Sequence, residues 1–355
     1  MSADSMSPTS AILLLAHGTP DKLSDMAGYL DNVTGGRPMP KEVIEELQHR
    51  YAQIGLGDEP TTEGPPLTRW TLLQGRLLSE LLGQPVYVGM RNWHPYIADV
   101  VAQMNADSIQ HARVLCLAPQ NSRTSTGLYR RALMAAAGDS FTIDFISGWA
   151  DEPLLAQAFA DRLWPVWAEA CAITGTHVPI LFTAHSVPCR TIMASTPEAQ
   201  MAAQPESHPN AHVPADGIQH YGSMQNPDPY PVECKQTALA VAAALRPVGL
   251  TDADWFFAFQ SQGIAGAPWI GPTVPNTLKA LADSGHKAVV VQPIGFLCDH
   301  VEILYDIDID FKQQAADLGL QLWRAESLND SPTLIKAIDH ALHRPSTRLD
   351  PNAQG

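Results

Sequence analysis

Two hydrophobic periods alternate along this chain. Short continuous apolar runs at Ala11–His17, Pro85–Met90, Ala112–Ala118 and Thr142–Ser147 predict strands buried on both faces. A second series follows at Val178–His185, Asp254–Ser261, Lys287–Phe296 and Gln321–Arg324. Stretches of helical period fill the gaps, at Lys41–Gln53, Thr68–Leu82, Tyr96–Met104, Pro153–Ala172, Val232–Leu245 and Pro332–Leu342. Buried strands alternating with helices predict an α/β fold of parallel sheets flanked by helices, in the doubly wound class.

The two strand series share a pattern. LLLAHGTP at Leu13–Pro20 opens the first, and LFTAHSVP at Leu181–Pro188 opens the second. HARVLCLAP at His111–Pro119 resembles HKAVVVQP at His286–Pro293 at a similar offset of about 170 residues. Two matches in the same order predict two similar α/β halves facing each other. Ligands of such sheets sit at the carboxyl ends of the strands, where His17 and His185 both fall. Both histidines are therefore expected to point at one cleft.

Gln204–Pro231, rich in Pro, Gly and Asn, reads as a long loop. Its His208 and His212 read as solvated. The tail Arg344–Gly355 is expected to fray.

Composition narrows the class. The 355 residues suffice for two domains, and 45% apolar with 17% charged residues is ordinary for a globular enzyme. No apolar run approaches a membrane-spanning length, and the N-terminus lacks a secretory pattern. Five cysteines without a CxxC fit reduced thiols, so a cytoplasmic location is expected. A net charge of −15 without a basic stripe argues against nucleic acid and favours a metal cation.

The chemistry concentrates in FLCDHVEILYDIDIDF, Phe296–Phe311. Glu302, Asp306 and Asp310 are spaced to line one face of a helix, where like charges repel. Apolar Ile303, Leu304, Ile307 and Ile309 interleave them, so the row reads as a cation track starting at the end of a buried strand. Imidazole from His185 and carboxylate from Glu302 suit a divalent first-row metal.

TAHSVP, DPYP, FQSQGIAGAPWIGPT (Phe259–Thr273) and PIGFLCDHVEILYDID (Pro293–Asp308) together resemble the ferrochelatase family. AHGTPDKLSDMAGYLDNVTGGRPMP and GMRNWHPYI (Gly89–Ile97) resemble it too, so the likeness runs from about Ala11 to about Leu342.

That resemblance implies insertion of Fe²⁺, as substrate, into a porphyrin with release of two protons. It implies two Rossmann-like halves with a porphyrin cleft between them. Residues 10–120 with 331–345 would form the first domain, its C-terminal helix packing back, and 121–330 the second, carrying the metal site. His185 and Glu302 would be the facing metal-site and proton-accepting residues, and Asp306 and Asp310 would deliver metal or pass protons. Porphyrin propionates need local cations, offered by Arg37, Arg50, Arg91, Arg123 and Arg130. Arg123, at a strand's carboxyl end, is the leading candidate, with Arg37 and Arg91 beside it; Trp269 in PWIGP is a further porphyrin contact. Transient contact with other haem-pathway enzymes is also implied.

The chain departs from the family at His17, where the coproporphyrin-using branch commonly has Tyr. Gly18-Thr19-Pro20 nevertheless leans toward coproporphyrin III over protoporphyrin IX. His17 would then replace Tyr as an axial ligand to product iron, or simply line the pocket. No cysteine follows Cys298, so no iron–sulfur cluster is expected. The alternatives are a cobalt or nickel chelatase acting on another tetrapyrrole, and a non-enzymatic haem-binding protein; the acid row argues against the second.

Overall fold

The structure, a computed structural model, describes residues 9–189, 228–263 and 268–349. Most of the Gln204–Pro231 stretch, with His208 and His212, lies outside the described residues.

The chain divides into two compact units. One contains the chain up to Pro119, Thr124–Trp149 and the chain from Leu334; the other contains Gln120–Arg123 and Ala150–Thr333.

The first unit is built on a five-stranded sheet. Its strands are β1 (Ser10–Ala16), β2 (Val86–Met90), β3 (His111–Cys116), β4 (Thr142–Ile146) and β9 (Thr347–Leu349), in the order β2-β1-β3-β4-β9. The four β1–β4 strands run parallel. Leu13, Leu14 and Leu15 are fully buried, which is why this run carries no alternation. Each such leucine contributes roughly 1.5–3 kcal/mol over its exposed state.

The segment Thr124–Trp149 belongs with this sheet, past the boundary expected at residue 120, because β4 hydrogen-bonds to β3. The tail also differs from expectation. Instead of fraying, Thr347–Leu349 pairs antiparallel with β4, and Arg348 Nε donates to Asp144 Oδ1 at 3.3 Å. Arg113 on β3 donates to the carbonyls of Leu342 and Arg344, tying the helix Pro332–Leu342 to the same sheet.

The second unit holds a four-stranded, all-parallel sheet. Its strands are β5 (Ile180–His185), β6 (Trp255–Gln260), β7 (Ala288–Pro293) and β8 (Gln321–Arg324), in the order β6-β5-β7-β8. This repeats the β2-β1-β3-β4 order strand for strand. The paired motifs in the sequence fall on equivalent strands, β1 with β5 and β3 with β7. In each sheet the chain moves to one side of the opening strand and then to the other, which makes the carboxyl end of that strand a switch point.

Around this sheet pack Pro153–Thr174, Tyr230–Leu245 and Val274–Asp283. Glu152 and Thr273 cap the first and last of these, accepting from the amides of Leu154 and Asn276. Ile303, Ile307 and Phe311 are buried in the core of this unit, beside Leu181, Val289 and Val291. The acidic segment is thus pinned by its apolar side chains at intervals of four.

Candidate functional site

His185 is the last residue of β5, one of the two interior strands of its sheet. Glu302 lies in the turn of helix Val301–Leu304 that follows neighbouring β7. Adjacent strands therefore deliver an imidazole and a carboxylate to one place. His185 Nε2 stands 3.2 Å from Glu302 Oε1, and both side chains are about two-thirds buried. The imidazole is oriented from its other side, where Nδ1 meets the Ser186 carbonyl. Nε2 is thereby the nitrogen turned to Glu302. Tyr230 Oη donates to the His185 carbonyl at 3.0 Å, fixing the strand end. Gly295 packs so close beneath that a Cβ there would lie 2.9 Å from Ala184 Cα.

The electrostatics are those of an ion pair. Burial pushes Glu302 up, but the charge and hydrogen bond of His185, with His300, outweigh it and hold the carboxyl well below its usual range. Burial pushes His185 down, but Glu302, the Ser186 carbonyl and Asp306 outweigh that and raise it. His300 Nε2 lies 3.5 Å from Glu302 Oε2, and His300 Nδ1 is 3.0 Å from the Cys298 carbonyl. Each carboxylate oxygen of Glu302 thus faces one imidazole.

The acid row is not the single α-helix its spacing predicts. After Val301–Leu304 the backbone widens into a π-helical turn, Asp306–Phe311, then returns to α-helix at Lys312–Asp317. The Asp310 amide reaches back five residues to the Tyr305 carbonyl, at 3.0 Å. The turn separates the fates of the acids. Asp306 is buried and takes the Ser261 hydroxyl, Asp308 takes Arg324, and Asp310 is half-buried against the Gln314 amide. Among the described residues, no three His, Cys, Asp or Glu side chains adopt a metal-holding arrangement. Of the four metal candidates, His185 and Glu302 are brought into contact, and Asp306 and Asp310 follow on the π turn.

Gln260, the last residue of β6, donates its side-chain amide to the Glu302 carbonyl at 2.6 Å. Trp269 is half-buried, its ring 6.4 Å from that of His185. Gly263 lies so close to the indole that a Cβ would come within 2.5 Å of it.

The first unit carries a separate histidine cluster. His17 follows the last residue of β1, and its half-buried ring has Nε2 3.1 Å from Tyr29 Oη. The Asn92 amide lies within 3.2 Å of both ring nitrogens, and Tyr129 Oη is 3.5 Å from Nδ1. The next residue must be small, because Gly18 adopts φ +88° with the Trp93 amide nitrogen 2.8 Å from where a Cβ would sit. Arg91 joins this cluster. Its amide pairs with the Ala16 carbonyl, its Nη1 donates to Asn92 Oδ1, and burial lowers its pKa.

The other arginine candidates lie elsewhere. Arg37 is exposed and gives its Nε–H to the Thr34 carbonyl of the preceding helix. Arg123 is also exposed and belongs with the second unit, its backbone amide held by Asp228 Oδ2 at 2.8 Å. Sequence reasoning missed His300, Tyr230, Gln260, Ser261, Asn92, Tyr29 and Tyr129. Several lie inside the quoted motifs, but a motif does not say which side chain meets which.

Two α/β units, each with a histidine at the carboxyl end of its opening strand, with a histidine–carboxylate pair in the second, describe a chelatase type of architecture. Residues 9–345 match the family model described as Ferrochelatase. The chain is 56% identical to the "Ferrochelatase" of Acidobacterium capsulatum over 94% of its length and 93% of that protein. It is 30% identical to the "Coproporphyrin III ferrochelatase" of Geobacillus kaustophilus, over 93% and 94% respectively. The chain belongs to the ferrochelatase family, whose enzymes insert iron into porphyrin. Among solved structures, the sirohydrochlorin chelatase SirB of Bacillus subtilis subspecies spizizenii with cobalt aligns over 94% of each chain, at 11% identity and a TM-score of 0.48. Among the described residues, no helix is long and apolar enough to cross a membrane.

Proposed function

We propose that this enzyme inserts Fe²⁺ into coproporphyrin III in preference to protoporphyrin IX. The observation that carries the site is the His185–Glu302 contact, an imidazole and a carboxylate at the carboxyl ends of adjacent strands. Both pyrrole protons must leave as iron enters. Glu302 and His185 are the acceptors: the Nε2 lone pair of neutral His185 takes one proton, the Glu302 carboxylate takes the other, and each passes its proton on to solvent. Asp306 and Asp310 bring the cation to that pair.

The leaning to coproporphyrin rests on Gly18-Thr19-Pro20, on the coproporphyrin III ferrochelatases among the relatives, and on the arginines. Coproporphyrin has propionates where protoporphyrin has vinyl groups, so it asks more of Arg91 and Arg123, with Arg37 a further donor. Trp269 contacts the macrocycle. His17, held by Tyr29 and Asn92, offers an imidazole to the iron of the product. The metal work belongs to the unit that contains Ala150–Thr333, which holds His185 and Glu302, and His17 and Arg91 of the other unit meet the ring. This reading keeps a cytoplasmic location, since five cysteines without a CxxC fit reduced thiols, and it includes no iron–sulfur cluster because no cysteine follows Cys298.

The test is anaerobic iron insertion with each porphyrin in separate reactions. The reading expects a higher kcat/KM for coproporphyrin III. Equal or reversed values would assign the substrate to the protoporphyrin branch.

A further inference from the structure

The run RAESLN, Arg324–Asn329, begins at the last residue of β8 and carries no role in the reading above. The side chains of Arg324, Ser327 and Asn329 converge on Asp299, which lies three residues before Glu302, while Glu326 turns away to Arg162. Asp299 Oδ1 accepts from Ser327 Oγ at 2.7 Å and from Arg324 Nη1 at 3.4 Å. Asp299 Oδ2 accepts from Asn329 Nδ2 at 3.0 Å, while the Asp299 amide donates to Asn329 Oδ1 at 2.9 Å. Asn329 also gives its own amide to the Leu297 carbonyl at 2.9 Å, from a φ of +43°. Ser327 is 1% exposed and Asn329 9%, so these bonds form largely away from water.

The same arginine reaches the far side of Glu302. Arg324 Nε and Nη2 fork onto the two oxygens of Asp308, at 2.7 and 2.8 Å, inside the π-helical turn. One planar guanidinium therefore holds the chain before Glu302 and the chain after it. A lysine ammonium lacks the width to span both carboxylates. Fixing both flanks of a short helical turn sets where its carboxylate stands relative to the His185 imidazole.

The geometry points to Arg324, with Ser327 and Asn329, as a clamp that positions Glu302 for metal insertion. This rests on the assignment of Glu302 made above. Arg324 is a positioning residue, acting through Asp299 and Asp308. A misplacement of the order of 1 Å at a reacting group lowers turnover by about 100-fold.

The experiment compares Arg324→Lys, Arg324→Met, Ser327→Ala and Glu302→Gln with the wild-type protein. Anaerobic iron insertion gives kcat and KM, metal-free porphyrin titration gives the ring Kd, and circular dichroism follows the fold. The clamp predicts that Arg324→Lys lowers kcat by about tenfold or more, with the ring Kd and the fold unchanged. Ser327→Ala should lower kcat by less, in the same pattern. Should Arg324→Met fail to fold, those two variants decide. Wild-type kcat in folded Arg324→Lys and Ser327→Ala, beside an inactive Glu302→Gln, overturns the clamp and leaves the site assignment standing. So does a kcat loss that merely tracks weaker ring binding or lost fold. Full activity in Glu302→Gln overturns the site assignment itself, and the clamp with it.

Discussion

His185 Nε2 and Glu302 Oε1 stand 3.2 Å apart, and each charge shifts the other's protonation. Burial alone would keep His185 neutral, but Glu302 outweighs it, so the histidine pKa is raised above 6.5. Glu302 is held below 4.5 for the reciprocal reason. The signs follow from linkage. The raised histidine stabilises the folded state below pH 6.5, and that contribution fades as pH rises through its folded pKa. The lowered carboxyl stabilises above pH 4.5, and that contribution fades as pH falls through its folded pKa. An NMR titration of the metal-free protein should find the His185 midpoint above 6.5. In Glu302→Gln the midpoint should fall, since burial is then opposed only by the Ser186 carbonyl and Asp306. A wild-type midpoint at or below 6.5 contradicts the ion pair.

Gly295 tests how tightly the strand end is set. A methyl there meets Ala184 Cα and Cβ at 2.9 Å, one residue before His185. Gly295→Ala should destabilise the protein by about 1–3 kcal/mol and also slow insertion, because relief of the clash displaces the histidine. Denaturant unfolding and turnover measure the two. Destabilisation with unchanged turnover per folded molecule would show that the strand end tolerates displacement.

Asp306 and Asp310 should differ from Glu302 in how iron concentration affects their loss. Each Asn substitution should slow insertion less than Glu302→Gln does, and most when iron is limiting. Asp306→Asn should have the larger effect, because its buried carboxylate also holds Ser261. A defect independent of iron concentration argues against delivery.

His17→Ala should retain measurable insertion while changing the absorption spectrum of bound iron porphyrin, since the proposed axial nitrogen donor is then absent. Tyr at this position should give a third spectrum. Complete loss of activity with an unchanged spectrum would make His17 a catalytic or structural group.

Much of this was written in the hydrophobic pattern. AILLLA and AVVVQP have no polar face, so they could only be interior strands, and the two AH endings marked equivalent places. Strand β9 was invisible because TRL is short and half-polar; its pairing with β4 depends on residues some 200 positions away. The π turn was hidden too. Ile303, Ile307 and Phe311 satisfy a four-residue repeat, and nothing in that spacing shows that Asp306 meets Ser261 or that Asp308 meets Arg324. His185 and Glu302 were legible as residue types at strand ends. Their contact, the second imidazole of His300 and the tyrosines around His17 are tertiary facts.

The central claim is that His185 and Glu302 perform the metal insertion. Its most direct measurement is anaerobic Fe²⁺ insertion into coproporphyrin III by His185→Ala and Glu302→Gln, beside porphyrin binding by each variant. The account predicts that turnover falls by about 100-fold or more in both, with ring affinity largely kept, since the proposed ring contacts lie at other residues. Wild-type turnover in either variant would contradict it.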